Sequence, residues 1–137
     1  MKKLVPYIMF SGNCEEALNF YKNILGGEIL NIGKYSETPD FATEVNMNKI
    51  MHAEFSADGV YFMAADEMKP SDAVKGNRVN LSFDCDSAEE QEKVFNGFSD
   101  GAEITMPLQD TFWGARYGML TDKFGISWMF NYDKPQS

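Results

Sequence analysis

At 137 residues, 44% of them apolar and 14% aromatic, the chain holds the material for one compact domain with its own core. Its formal charge of −9, from 21 acidic against 12 basic side chains, repels phosphate backbones, and no basic patch offsets it, so nucleic acid is not an expected partner. No apolar run approaches the roughly 20 residues that cross a bilayer, the start "MKKLVPYIMF" lacks a secretory leader's apolar segment, and Cys14 and Cys85 lie far apart; a cytoplasmic protein with reduced thiols is expected.

Taken in chain order, "LVPYIMF" is apolar enough for a buried strand, and "SGNCEEALNFYKNILGG" carries both ends of a helix. Asn13 is placed to cap it with Glu16 as the returning partner, Ala17, Phe20, Tyr21 and Ile24 recur at helical spacing, and Gly26 and Gly27 stop it. Three strand-like runs follow, "EILNIGKY", "NKIMHAEFS" and "VYFMAA", the last two joined by a tight turn at Asp58 and Gly59. Then comes "DEMKPSDAVKGN", polar and holding Pro70 and Gly76, with the composition of a linker.

The order then repeats. "RVNLSFDC" is a strand; Ser87 caps "DSAEEQEKVFNGFSDG" with Glu90 as partner, Val94, Phe95 and Phe98 form the apolar stripe, and Gly101 ends it. "AEITMPLQ", "ARYGMLT" and "ISWMFNY" close the chain, the last two joined by "DKFG". Two copies of strand, helix, strand, strand, strand predict an α+β fold: two tandem βαβββ modules, 1–66 and 78–137 with a linker at 67–77, whose curved, mostly antiparallel sheets enclose a cleft.

The repeated βαβββ plan, "EEALNFYKNILGGEI", "FDCDSAEE" and the closing "DKFGISWMF" resemble the vicinal oxygen chelate superfamily, to which glyoxalase I, fosfomycin-resistance proteins, extradiol dioxygenases and bleomycin-resistance proteins belong. "IMHAEF" and "FWGARYGMLTDKFGISW" are most similar to its PhnB-like branch, whose members have at times been labelled ubiquinone methyltransferases. No glycine-rich nucleotide fingerprint supports such a label here. The resemblance implies metal ligands on the first and last strands of each module, and counting places Pro6, Met63, Asn80 and Met129 there. A proline, two thioethers and a neutral amide suit no hard divalent ion, so neither metal nor cofactor is expected.

The lone histidine, His52, rules out any site of two imidazoles in one chain. Period two sets Ile50, His52 and Glu54 on one face of their strand, with Met51, Ala53 and Phe55 packed under a helix on the other. Matching the copies pairs His52 with Tyr117 and Glu54 with Met119, and parity adds Tyr61, Met63, Asn80, Ser82, Ser127, Met129 and Asn131 as pocket lining. A histidine beside a carboxylate suits a general base with a fixed tautomer, or equally a cross-strand polar pair. Trp113 and Arg116 could stack a planar or anionic ligand, or plug the fold and pair with an acid. Cys14, at a helix start, is a candidate nucleophile of low pKa.

Three functions fit. The first is metal-independent binding of a small molecule, in the manner of the bleomycin-resistance relatives, with cations favoured by the acidic surroundings. The second is a lyase or isomerase using His52 and Glu54; the third is a metalloenzyme whose site is completed across a dimer. Binding is preferred, with His52, Glu54, Tyr61, Met63, Asn80, Ser82, Trp113, Tyr117 and Met129 as ligand residues. A homodimer is expected because relatives pair modules across subunits and open sheet edges invite contacts.

Overall fold

A computed structural model describes the protein over residues 1–69 and 73–135. The chain divides into two compact units, Met1–Val74 and Lys75–Ser137, and each builds one sheet and one principal helix. Pro70, Ser71 and Asp72 of the expected linker lie outside the described residues.

The first unit runs β1 (Tyr7–Phe10), α1 (Cys14–Leu25), β2 (Glu28–Lys34), a single 3₁₀ turn (Tyr35–Glu37), β3 (Ile50–Ala57) and β4 (Val60–Asp66). The strands lie in the order β1-β4-β3-β2, with β1 parallel to β4 and the other pairs antiparallel. The second unit repeats this with β5 (Leu81–Asp84), α2 (Ala88–Phe98), β6 (Glu103–Asp110), β7 (Ala115–Thr121) and β8 (Ser127–Asp133) in the order β5-β8-β7-β6. β5 is parallel to β8 and the rest are antiparallel. Two open four-stranded sheets, each with its helix, make the α+β fold that the repeated pattern predicts.

One face of each sheet is covered. Ala53, Phe55, Phe62 and Ala64 are buried in the first unit with Cys14, Ala17, Leu18 and Tyr21 of α1. Phe55 stacks on Phe62, which meets the Tyr21 ring edge-on. The buried stripe of α1 thus includes Leu18, while Phe20 and Ile24 are only half-buried. In the second unit Phe98, Trp128 and Phe130 cluster with Phe83, and Phe95 meets Phe130 edge-on. Burial of each such side chain contributes about 1.5–3 kcal/mol, which is what makes the helices persist at this length.

The two helices start differently. Ser87 Oγ accepts from Glu90 N at 3.0 Å, the local cap expected for α2, while Glu90 Oε1 reaches past the cap residue and accepts from Asp86 N at 3.0 Å. For α1 the expected Asn13 cap does not form: its side chain makes no cap bond, and its Oδ1 is buried without a hydrogen-bond partner. Asp66 takes that place from the end of β4. Its Oδ1 accepts from Gly12 N and Cys14 N, both at 2.9 Å, and its Oδ2 accepts from Ile50 N at 2.9 Å. A carboxylate makes stronger charge-assisted bonds than a neutral amide, so it wins the helix end.

Turns follow the residues. Gly59, at φ 73°, supplies the left-handed position of the two-residue β3–β4 turn. In "DKFG", Asp122 Oδ1 accepts from Phe124 N and Ile126 N, and its Oδ2 from Trp128 Nε1, so one buried carboxylate closes the turn and anchors the indole.

Candidate functional site

The uncovered face of the first sheet collects the candidate residues. β3 alternates so that Ala53 and Phe55 pack under α1 while His52 and Glu54 turn the other way, half-buried. Ile50 departs from this parity. Gly33 pairs with His52 and Lys34 with Ile50, so one step on β2 spans two on β3, and the irregularity turns Ile50 into the core at 1% exposure. In register with Glu54 stand Met63 on β4 and Leu30 on β2, and Tyr7 on β1 stands opposite Met63.

Glu54 is the centre of the polar contacts. Tyr61 Oη donates to its Oε1 and Asn31 Nδ2 donates to its Oε2, and these bonds hold its carboxyl below the usual carboxylate range. The same bond pushes the Tyr61 phenol up, so it stays a donor. Asn31 reaches in because it takes a left-handed conformation, φ 50°, where the β2–β3 register slips between Leu30 and Gly33. His52 is held separately: its Nδ1 lies 2.9 Å from Tyr7 Oη, with the rings 5.7 Å apart and tilted. Burial, and then the Cys14 thiol nearby, raise the Tyr7 pKa, which keeps that phenol protonated. Lys3 Nζ lies over the Tyr61 ring, 4.3 Å from its centroid.

Two positions reached by counting fall in the wrong place. Pro6 precedes β1 and gives its carbonyl to Met63 N at 3.0 Å, while Tyr7 is the side chain opposite Met63. Asn80 precedes β5, and Ser82 is the residue paired with Met129. The donors so placed are a phenol, a hydroxyl and two thioethers, which do not fit a hard divalent ion. Among the described residues no three His, Cys, Asp or Glu side chains come together to hold one.

Cys14 is overturned as a nucleophile. It is fully buried, and that burial, followed by the charges of Asp66 and Glu15, pushes its thiol far above the ordinary value; the Asp66 carboxylate already accepts from its backbone N–H at the helix end. Cys85 is likewise pushed up, to about 11, first by burial and then by Glu90, Asp84 and Asp86.

In the second unit, Tyr117, Met119, Ser127, Met129 and Asn131 alternate with buried Gly118, Leu120, Trp128 and Phe130 and so occupy the face away from α2. Asn131 Nδ2 bonds Asp84 Oδ1 at 3.1 Å and Asp133 Oδ1 at 3.2 Å. Trp113 is 58% exposed beside Phe112, and its ring meets Tyr117 edge-on at 6.2 Å. Arg116 has the opposite parity to Tyr117, and its carbonyl accepts from Gln91 Nε2 of α2. Sequence reasoning missed Tyr7, Asn31 and Lys3. Only Tyr7 left a signal, since the buried Ile8 and Phe10 fix the alternation of β1.

Comparison with known proteins agrees with this architecture. The model of a family described as 3-demethylubiquinone-9 3-methyltransferase matches residues 2–130. Protein YjdN of Escherichia coli (strain K12) is 34% identical, covering 97% of each chain. Protein PA1353 of Pseudomonas aeruginosa superposes with a TM-score of 0.86 at 35% identity, covering 98% of this chain and 100% of that one. A PhnB protein of Bacillus cereus superposes at 0.82 with 30% identity, covering 96% and 99%. A glyoxylase/bleomycin resistance protein/dioxygenase domain of Frankia shares the fold alone, at 0.68 and 13% identity over 98% of each chain. With two βαβββ units in place and a family model spanning nearly all of both, this chain belongs to that 3-demethylubiquinone-9 3-methyltransferase family, to which the PhnB protein is similar in sequence and fold.

Proposed function

We propose that this protein binds a small organic molecule without a metal, on the uncovered face of the first sheet, and that Glu54 reads a positively charged group of that molecule. One observation carries the proposal: Glu54 is held as a carboxylate by Tyr61 and Asn31 on a face otherwise lined by Tyr7, Met9, Leu30 and Met63. Two donors leave further lone pairs on its oxygens for a ligand N–H. A lowered pKa with both oxygens engaged makes it a weak proton acceptor and a good fixed charge. Aromatic and thioether walls supply the apolar contact that small-molecule sites use, and the net charge of −9 draws cations from solution. His52, Tyr61 and Met63 line this surface, and Ser82, Tyr117 and Met129 offer a similar one on the second sheet. The homodimer remains part of the proposal, supported by the edge strand β1, whose outer side pairs with no strand of its own sheet.

The test uses phenethylammonium, with phenylpropionate of matched size, in calorimetric titrations of the full chain. The ammonium binds preferentially, and Glu54→Gln weakens it about tenfold, as loss of one charge-assisted contact implies. An E54Q protein that binds both probes as wild type does would sink the proposal.

A second reading, a lyase or isomerase with His52 as base, is favoured by the Tyr7 bond that orients the imidazole. It requires deuterium to enter a bound carbon acid from D₂O and His52→Gln to abolish that exchange, both read by NMR.

A further inference from the structure

We propose that Lys3 is a tethered occupant of the cation position on this face, so that an external ammonium binds by displacing it. The inference rests on the reading of Glu54 as a cation anchor and adds its regulation. The Lys3 ammonium sits 4.3 Å from the centroid of the Tyr61 ring, and that ring's hydroxyl bonds the Glu54 carboxylate, so one residue joins the aromatic face to the anionic group. A chain cation therefore already stands on the aromatic ring that is bonded to the anionic group. Lys3 also lies among the charges that lower the Glu54 pKa, after the Tyr61 and Asn31 hydrogen bonds and His52.

The segment carrying Lys3 is poised to leave. Met1 and Leu4 are 117% and 95% exposed, and Lys2 and Lys3 are exposed as well, so its apolar side chains are not buried against the sheet. The first of the strand residues, Tyr7, begins only four positions later, which keeps the ammonium close to the face even when it is displaced. High local concentration with a weak contact is the signature of a competitor that tunes affinity and does not block it. An exposed cation–π contact reduces the binding-competent fraction by about two- to fivefold.

The experiment titrates phenethylammonium into wild type, Lys3→Gln, Lys3→Arg and Lys2→Gln. Lys3→Gln is expected to bind two- to fivefold tighter, while Lys3→Arg, which keeps the stacked cation, binds as wild type does. Lys2→Gln removes the same charge without the ring contact and separates displacement from net charge; it leaves affinity within experimental error. An equal gain for Lys2→Gln, or no gain for Lys3→Gln, overturns the inference. Tyr61 ring proton shifts in the unliganded proteins give a readout that needs no probe. They move in Lys3→Gln and stay in Lys2→Gln, and unmoved shifts in Lys3→Gln overturn the inference even where no probe binds. Failure of the Glu54 reading shows separately, as E54Q retaining wild-type affinity.

Discussion

Glu54 and the two thiols show how neighbours, and not residue type, set chemistry on this chain. Cys85 is buried near Glu90, Asp84 and Asp86, and its pKa rises from 9.0 to about 11, first through burial and then through those carboxylates. A raised folded-state value means that the stabilising contribution is whole below the unfolded pKa and is lost as pH climbs through the folded one. Stability therefore falls between pH 9 and about 11 as the unfolded thiol ionises first. In urea titrations across that window, Cys85→Ala should lose less stability than wild type. A parallel decline in both proteins would rule Cys85 out as a contributor. The tyrosines that burial also raises, Tyr7, Tyr35 and Tyr117, titrate in both and cancel in the comparison.

At the level of elements, the helix starts give the sharpest contrast. Asp66 satisfies three backbone donors from two segments, and removing it orphans all of them in the core. Asp66→Ala should cost about 2–4 kcal/mol in chemical denaturation, the penalty of stranding buried donors. Asn13→Ala should cost under about 0.5 kcal/mol, since its side chain caps nothing and its buried oxygen is unpartnered. The reverse ranking would restore the local cap. This pair also marks what the sequence makes legible. Strand, helix and hairpin positions depend on spacing within a dozen residues, so β3, β4, β7 and β8 and the Ser87 cap could be read directly. The Asp66 cap is 52 positions from Cys14, and Asp66 opens a polar stretch with the look of a linker. Alternation placed His52 and Glu54 on a common face, and it failed for Ile50 because a register slip has no signature in composition. Counting toward β1 landed on Pro6, one residue short of Tyr7, because the strand's start is set by pairing with β4.

For the molecule as a whole, charge and duplication matter most. A net charge of −9 creates a long-range field that enriches cations near every face, and salt screens it within a Debye length of about 10 Å at 0.1 M. Phenethylammonium affinity should fall with added sodium chloride, while that of the neutral isostere phenethyl alcohol stays level; equal salt slopes would limit the charge effect to nothing. Each unit carries its own aromatic cluster and its own helix, which explains why the same pattern had to be written twice in the chain. The contacts around Glu54, by contrast, join Asn31, Tyr61 and Lys3 from three separated stretches and became visible only once β2, β3 and β4 were aligned.

The kink in β2 has an effect beyond aiming Asn31. As the outermost strand of its sheet, β2 would offer any passing extended peptide a row of free amides and carbonyls, yet the twisted backbone at Asn31 breaks that row midway. A pucker that brings an amide to Glu54 thus also guards this rim against runaway strand-by-strand accretion into fibrils.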